Sequence, residues 1–172
     1  KADSWTEVGA GCFLMVSCHV AHDCRLADKV IMANVALLAG HVQIGEGAFV
    51  GGSAGVHQFC RIGEGAMIGG AARVARDVPP FTMTTERDEV VGLNVVGLRR
   101  RGLPRQTVEE LKRAFRAVNV SVGNMRELAA AALASGEYSS GEARRFLEFF
   151  REGRRGFVRA RRGAAEGESS GD

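Results

Sequence analysis

From Val8 to Val78 the apolar positions return every sixth residue. Val8, Leu14, Val20, Leu26, Met32, Leu38, Ile44, Val50, Val56, Ile62, Ile68 and Val74 form an unbroken series of twelve rungs. The position two before each next rung is small throughout, running Cys12, Cys18, Cys24, Val30, Ala36, Val42, Ala48, Ala54, Cys60, Ala66, Ala72 and Val78. A unit this short is no helical solenoid, whose repeats need roughly 20 to 45 residues. It fits a flat strand and a tight turn with one aliphatic and one small side chain turned inward. Three such sides close a triangular prism, so that each coil takes 18 residues and the twelve rungs make four coils. Stacked coils then pair as parallel strands about 4.8 Å apart. Gly or Ala follows most rungs, as a crowded corner requires, but Met15 and His57 break the rule. A bulky imidazole at a small-residue position points toward function.

The series ends at Asp77-Val78-Pro79-Pro80, where two prolines remove ladder donors. Residues 1–80 are therefore read as the coils and 81–103 as an irregular connection carrying a basic motif. Residues 104–159 read as a small helical domain. There Thr107 and Glu110 have the spacing of a capping box, followed by Val108, Leu111, Phe115 and Val118 at helical intervals. A second helix is predicted over 125–134 and a third over 141–151, burying Phe146, Leu147, Phe149 and Phe150. Residues 160–172 have nothing to bury and are expected to be disordered. The fold class is thus mainly β with α, a parallel β-helix followed by helices. The chain opens on Lys1 with the repeat already running by Val8, so further coils are expected to precede it.

Composition changes this picture little. Of 172 residues, 45% are hydrophobic and 25% charged, an ordinary globular mixture. No apolar run approaches the roughly 18 residues of a membrane helix, and no signal-peptide pattern opens the chain. Net charge is only +3, but arginine gathers at 99–105 and 144–162. Such clusters suit phosphate or an acidic partner protein, or form a solvated helix face. Nucleic acid is not indicated, because aromatic interleaving and a reading motif are absent. The four cysteines all occupy the small inward position. Cys24 and Cys60 would stand two coils apart, roughly 10 Å, beyond disulfide reach. They read as buried free thiols of a cytoplasmic protein.

All four histidines lie within the repeat. Coil phase places His22, His41 and His57 near one prism edge in successive coils, spanning roughly 10 Å, with His19 on the same turn as His22. Gly40 lies one coil after His22, where a backbone amide can approach a reacting atom. Two chemistries fit. An imidazole is a natural general base near neutral pH, with Asp23 a candidate to orient it, although neighbouring strand residues point opposite ways. Alternatively, three histidines can hold zinc with a position left for water. A non-catalytic structural prism is the third reading.

The hexad resembles that of the hexapeptide-repeat transferases, whose coils wind left-handed. More specifically, His19-Val20-Ala21-His22-Asp23-Cys24, Leu38-Ala39-Gly40-His41, Gly55-Val56-His57-Gln58-Phe59-Cys60, Asp77-Val78-Pro79-Pro80, Gly97-Leu98-Arg99-Arg100-Arg101-Gly102 and Arg155-Gly156-Phe157-Val158-Arg159 together resemble the UDP-N-acetylglucosamine O-acyltransferase family. That family carries out the first committed step of lipid A biosynthesis. The resemblance implies transfer of a (R)-3-hydroxyacyl chain from acyl carrier protein to the sugar 3-hydroxyl of UDP-N-acetylglucosamine, in a cytoplasmic homotrimer with no cofactor and no metal. It implies His22 as general base, with Asp23 beside it, and Gly40 as donor to the oxyanion. It further implies that His19, His41, His57, Gln58, Asn94, Arg100 and Arg101 hold substrate, and that Gly70 sets acyl length. Val96 stands where the family commonly has a glutamate, which removes one polar contact to the nucleotide. The rivals are a zinc lyase of the carbonic anhydrase type on the same prism and an N-acyltransferase acting on a 3-amino sugar. The basic loop at 97–102 favours the O-acyl enzyme.

Overall fold

The computed structural model describes residues 4–86 and 88–160; residues 161–172 of the expected disordered tail lie outside the described residues. Each hexad rung sits in a two-residue strand, and the strands wind into a left-handed parallel β-helix of four coils. The first face stacks Glu7–Val8, Arg25–Leu26, Gln43–Ile44 and Arg61–Ile62. The second stacks Phe13–Leu14, Ile31–Met32, Phe49–Val50 and Met67–Ile68, and the third His19–Val20, Leu37–Leu38, Gly55–Val56 and Arg73–Val74. Register is one coil throughout, as in Glu7 against Arg25 and Leu38 against Val56. Rungs from Leu26 onward are at most 3% exposed, and the small positions Ala36, Ala48, Ala54, Ala66 and Ala72 are fully buried between them. Each rung so buried contributes roughly 1.5–3 kcal/mol. The first coil departs from the expectation: Val8 and Leu14 are 46% and 40% exposed, and Cys12 and Cys18 are only half-buried, because one side of that coil has no neighbour among the described residues. Burial pushes the Cys60 thiol up to about 12, so it is inert at neutral pH.

The corners carry a second six-residue period. One residue per turn sits in the left-handed region: Gly11, Ser17, Asp23, Lys29, Val35, His41, Gly47, Ser53, Phe59, Gly65 and Ala71. Glycine, serine and aspartate accept this conformation readily, whereas a β-branched or bulky side chain is strained in it. Val35, at φ 63° and 45% exposed, has little packing to offset that strain. Val35→Asn is therefore expected to raise stability by up to about 1 kcal/mol, read as a higher urea midpoint; a lower midpoint would refute this account. Immediately after the rungs the corners are crowded, as the glycine and alanine pattern implied. A methyl group at Gly45 would run into the backbone of Glu64.

The stretch 81–103 is more ordered than expected. Thr82–Thr84 extends the second face by one parallel strand, Glu89–Leu93 returns antiparallel to it, and Arg159–Ala160 pairs with the latter. Helix α1 (Val95–Arg100) follows, its N-terminus capped by Asn94, whose Oδ1 accepts the Gly97 N–H at 3.0 Å. Helices α2 (Arg105–Asn119), α3 (Met125–Ala134) and α4 (Gly141–Glu148) pack together, and Phe149–Arg151 continues α4 as a 3₁₀ turn. The capping box does not form. Pro104 precedes α2 without a side-chain cap, and Glu110 is instead buried, accepting the Ser140 N–H at 2.9 Å. Phe146, Leu147 and Phe150 are fully buried, while Phe149 is half-buried beneath the Arg61 guanidinium, 4.2 Å from its ring.

Arg61 joins the two parts. Buried Asp77 accepts the Arg61 backbone N–H at 2.9 Å and its Nε–H at 2.8 Å. Arg61 Nη2 then donates to the carbonyls of Phe149 and Glu152 at 2.9 and 2.7 Å. This pin sets the segment Glu152–Arg154 beside His41 and Phe59, enclosing a cavity of about 330 Å³. No helix among the described residues is long and apolar enough to cross a membrane.

Candidate active site

The corner between the third and first faces gathers His22, Asp23, Gly40, His41 and Phe59. His22 and Asp23 belong to a tight turn rather than a strand, so the alternation that made Asp23 an uncertain partner does not apply. With φ at 60°, Asp23 folds back and its Oδ2 accepts from His22 Nδ1 at 2.7 Å. That bond places the proton on Nδ1 and leaves the Nε2 lone pair free. The Ser4 hydroxyl and then the His22 ring, both hydrogen-bonded to Asp23, hold its carboxyl below the ordinary range, so it is ionised at neutral pH.

Gly40 is buried directly above His22. A methyl group there would lie 2.6 Å from His22 Cε1 and Nε2, so only glycine leaves the reactive edge of the imidazole open. The Gly40 N–H meets no acceptor among the described residues. It can therefore donate to a developing negative charge.

His41 and Phe59 occupy the left-handed position one and two coils beyond Asp23. Their rings stack at 4.6 Å and 11°, and His41 meets His22 edge-on at 5.1 Å. His41 Nε2 is 3.7 Å from the same Asp23 oxygen that His22 engages. The rung pattern alone does not single out Phe59, although the sequence carries a signal for it. Among residues recurring six apart from Gly11, it is the one phenylalanine in a set dominated by small or polar types.

Not every candidate joins this cluster. His57 lies on the third-face side of the corner, its Nδ1 directed at the Gln58 carbonyl at 3.2 Å, and both residues are exposed. With His19, Leu37, Gly55 and Arg73 it lines a largely apolar groove of about 510 Å³. Gly70 stands at the corner between the second and third faces, where an added methyl would meet only the Gly52 carbonyl, at 3.5 Å. Asn94 and Arg101 lie at the remaining corner and are committed within the chain. Asn94 caps α1 and donates to the Gly65 carbonyl at 3.1 Å. Arg101 pairs with Glu64 at 3.1 Å and donates to the Glu46 carbonyl at 2.9 Å. Arg100 is exposed on the last turn of α1, and Val96 is 58% exposed on its first.

Known proteins resemble this chain over most of its length. Residues 77–158 match the family described as Udp N-acetylglucosamine O-acyltransferase, domain 2. The acyl-[acyl-carrier-protein]--UDP-N-acetylglucosamine O-acyltransferase of Thiobacillus denitrificans is 39% identical over 155 residues, 90% of this chain and 60% of the relative. The chain is thus similar to UDP-N-acetylglucosamine O-acyltransferases over most of its own length. Among solved family structures, the UDP-N-acetylglucosamine acyltransferase from Campylobacter jejuni superposes with a TM-score of 0.82 at 38% identity, over 88% of this chain and 59% of that one. The UDP-N-acetylglucosamine O-acyltransferase from Moraxella catarrhalis RH4 gives 0.84 at 35%, over 90% and 60%. The chain spans about 60% of the length of the relatives it matches.

Proposed function

We propose that the protein transfers a (R)-3-hydroxyacyl chain from acyl carrier protein to the 3-hydroxyl of UDP-N-acetylglucosamine, the first step of lipid A biosynthesis, in the cytoplasm. The observation that carries this reading is the His22 Nε2 edge, left open by Gly40 and oriented from behind by Asp23. His22 Nε2 removes the proton of the sugar hydroxyl as the oxygen attacks the thioester carbonyl. The Gly40 N–H donates to the oxyanion, an interaction worth about 3 kcal/mol in comparable sites. Collapse expels the pantetheine thiolate, which takes the proton back from the imidazolium. Ionised Asp23 stabilises that imidazolium through Nδ1. The apolar groove beside His19 and His57 suits the acyl chain, and Gly70 at the next corner leaves room along its path.

A homotrimer is part of the same reading. Asn94 and Arg100 lie on a different corner from His22, so they reach one substrate only if a neighbouring copy supplies them. The second face also presents Phe13, Ile31, Phe49 and Met67 outward, an apolar stripe that a neighbour would cover, with Phe13 58% and Met67 37% exposed.

The test measures transfer from hydroxyacyl carrier protein to UDP-N-acetylglucosamine, alongside the mass in solution, for wild type and Gly40→Ala. Activity in a species of three chains is expected, falling at least tenfold in the variant as its methyl displaces the imidazole. Wild-type inactivity with this pair of substrates, in a folded trimer, would remove the reading.

A further inference from the structure

His22, Asp23 and His41 each present a ligand atom, and these atoms lie within 4.8 Å of one another. His22 Nδ1 stands 2.7 Å and His41 Nε2 3.7 Å from the same oxygen, Asp23 Oδ2. Donors on one tetrahedral zinc ion are roughly 3.3 Å apart when each bond is about 2.0–2.1 Å. These two spacings bracket that value and the third pair lies within 4.8 Å, so side-chain rotation of the exposed imidazoles brings all three donors onto one ion. Two imidazoles and one carboxylate also make a donor set that zinc accepts readily.

The scaffold holds this set in place. The His41 N–H donates to the His22 carbonyl at 3.0 Å, fixing the two backbones one coil apart, and the Phe59 ring backs His41. Little chain order remains to be gained when an ion arrives. The His22, Asp23 and His41 side chains are 71%, 22% and 41% exposed, so open coordination positions face solvent.

We propose that His22, Asp23 and His41 form a zinc-binding site, and that an ion bound there blocks acyl transfer; the blocking part rests on His22 acting as the base. Zinc on Nδ1 displaces the proton that Asp23 now accepts, and in the neutral ring that proton moves to Nε2. Nε2 then has no lone pair with which to take the proton of an acceptor hydroxyl. The same ion draws the Asp23 carboxylate into coordination and away from its orienting role. The site is thus an inhibitory one, occupied at the expense of substrate turnover.

Zinc is titrated calorimetrically into metal-free protein in a non-coordinating buffer, and transfer is followed over the same concentrations before and after excess EDTA. One ion per chain is expected, with transfer falling at least tenfold at the same midpoint and returning with EDTA. Asp23→Asn keeps a side chain suited to the left-handed backbone and is expected to bind zinc at least tenfold more weakly. His22→Ala should weaken binding similarly, whereas His57→Ala should bind as wild type, with circular dichroism establishing that each variant is folded. Absence of saturable binding, or unchanged affinity in both Asp23→Asn and His22→Ala, overturns the site. Zinc binding that depends on Asp23 in a protein whose transfer is insensitive to His22→Ala supports the site and removes His22 as base. Loss of transfer in His22→Ala without zinc binding by wild type does the reverse.

Discussion

Replacing His22 by alanine is expected to lower acyl transfer by about 10²–10⁴-fold, the usual contribution of a positioned general base. The side chain is 71% exposed and, among the described residues, its one hydrogen bond is to Asp23, so its removal takes almost nothing from the core. Thermal unfolding should therefore be nearly unchanged, and the loss should fall on kcat rather than KM if the imidazole acts on the reacting hydroxyl. Steady-state kinetics on both substrates separate the two, and a wild-type kcat in the variant would exclude His22 from the proton transfer. Asp23→Asn should lose less, because the ring and its lone pair remain while the carboxylate that orients Nδ1 and stabilises the imidazolium is gone.

The largest effect on stability is expected from Asp77→Ala, at about 3 kcal/mol or more. Asp77 is fully buried and accepts two hydrogen bonds from Arg61, whose side chain is only 19% exposed. Truncation leaves a guanidinium largely out of water with carbonyl dipoles but no counter-charge, and orphans a backbone N–H as well. Because Arg61 also holds the carbonyls of Phe149 and Glu152, the damage should spread to the segment bordering the His41–Phe59 cavity. Urea unfolding gives the magnitude, and faster amide exchange across 149–154 gives the route. The double substitution Arg61→Met with Asp77→Ala should recover part of the loss, since it removes the stranded charge. A midpoint unchanged in Asp77→Ala would mean that the pair contributes nothing net.

The coils were legible because one physical constraint repeats twelve times. A prism interior admits one aliphatic and one small side chain per side, and no substitution escapes that filter. The left-handed corner residue was less visible, since Lys29, Val35, His41 and Phe59 share no chemistry and only the backbone unites them. For the same reason the proximity of Asp23 to His22 could not be read: strand alternation was the wrong local geometry for a turn. Thr107 and Glu110 matched a capping box in spacing, but Ser139 and Ser140 offered Glu110 a tertiary partner that no local pattern reveals. The hairpin strands after Pro80 escaped because they break the six-residue period, and Gly92 and Thr82–Thr84 look like loop sequence until the second face supplies a strand to pair with. The motif resemblance put Asn94 and Arg101 at a nucleotide, whereas within one chain their polar groups hold α1 and a corner of the prism.

The one-coil register has a kinetic consequence. Within the four coils each strand meets a partner 18 residues away, about a tenth of the chain length. That separation is small for a β-protein and falls near the relative contact order of roughly 0.07–0.12 found in helical bundles. Closing a loop of this size has the same entropy cost for every coil, so a nucleus anywhere in the prism can grow by adding its neighbour. The chain should accordingly fold faster than a sandwich of equal strand content. Its order should be lost as a zipper is opened, coil by coil inward from an end.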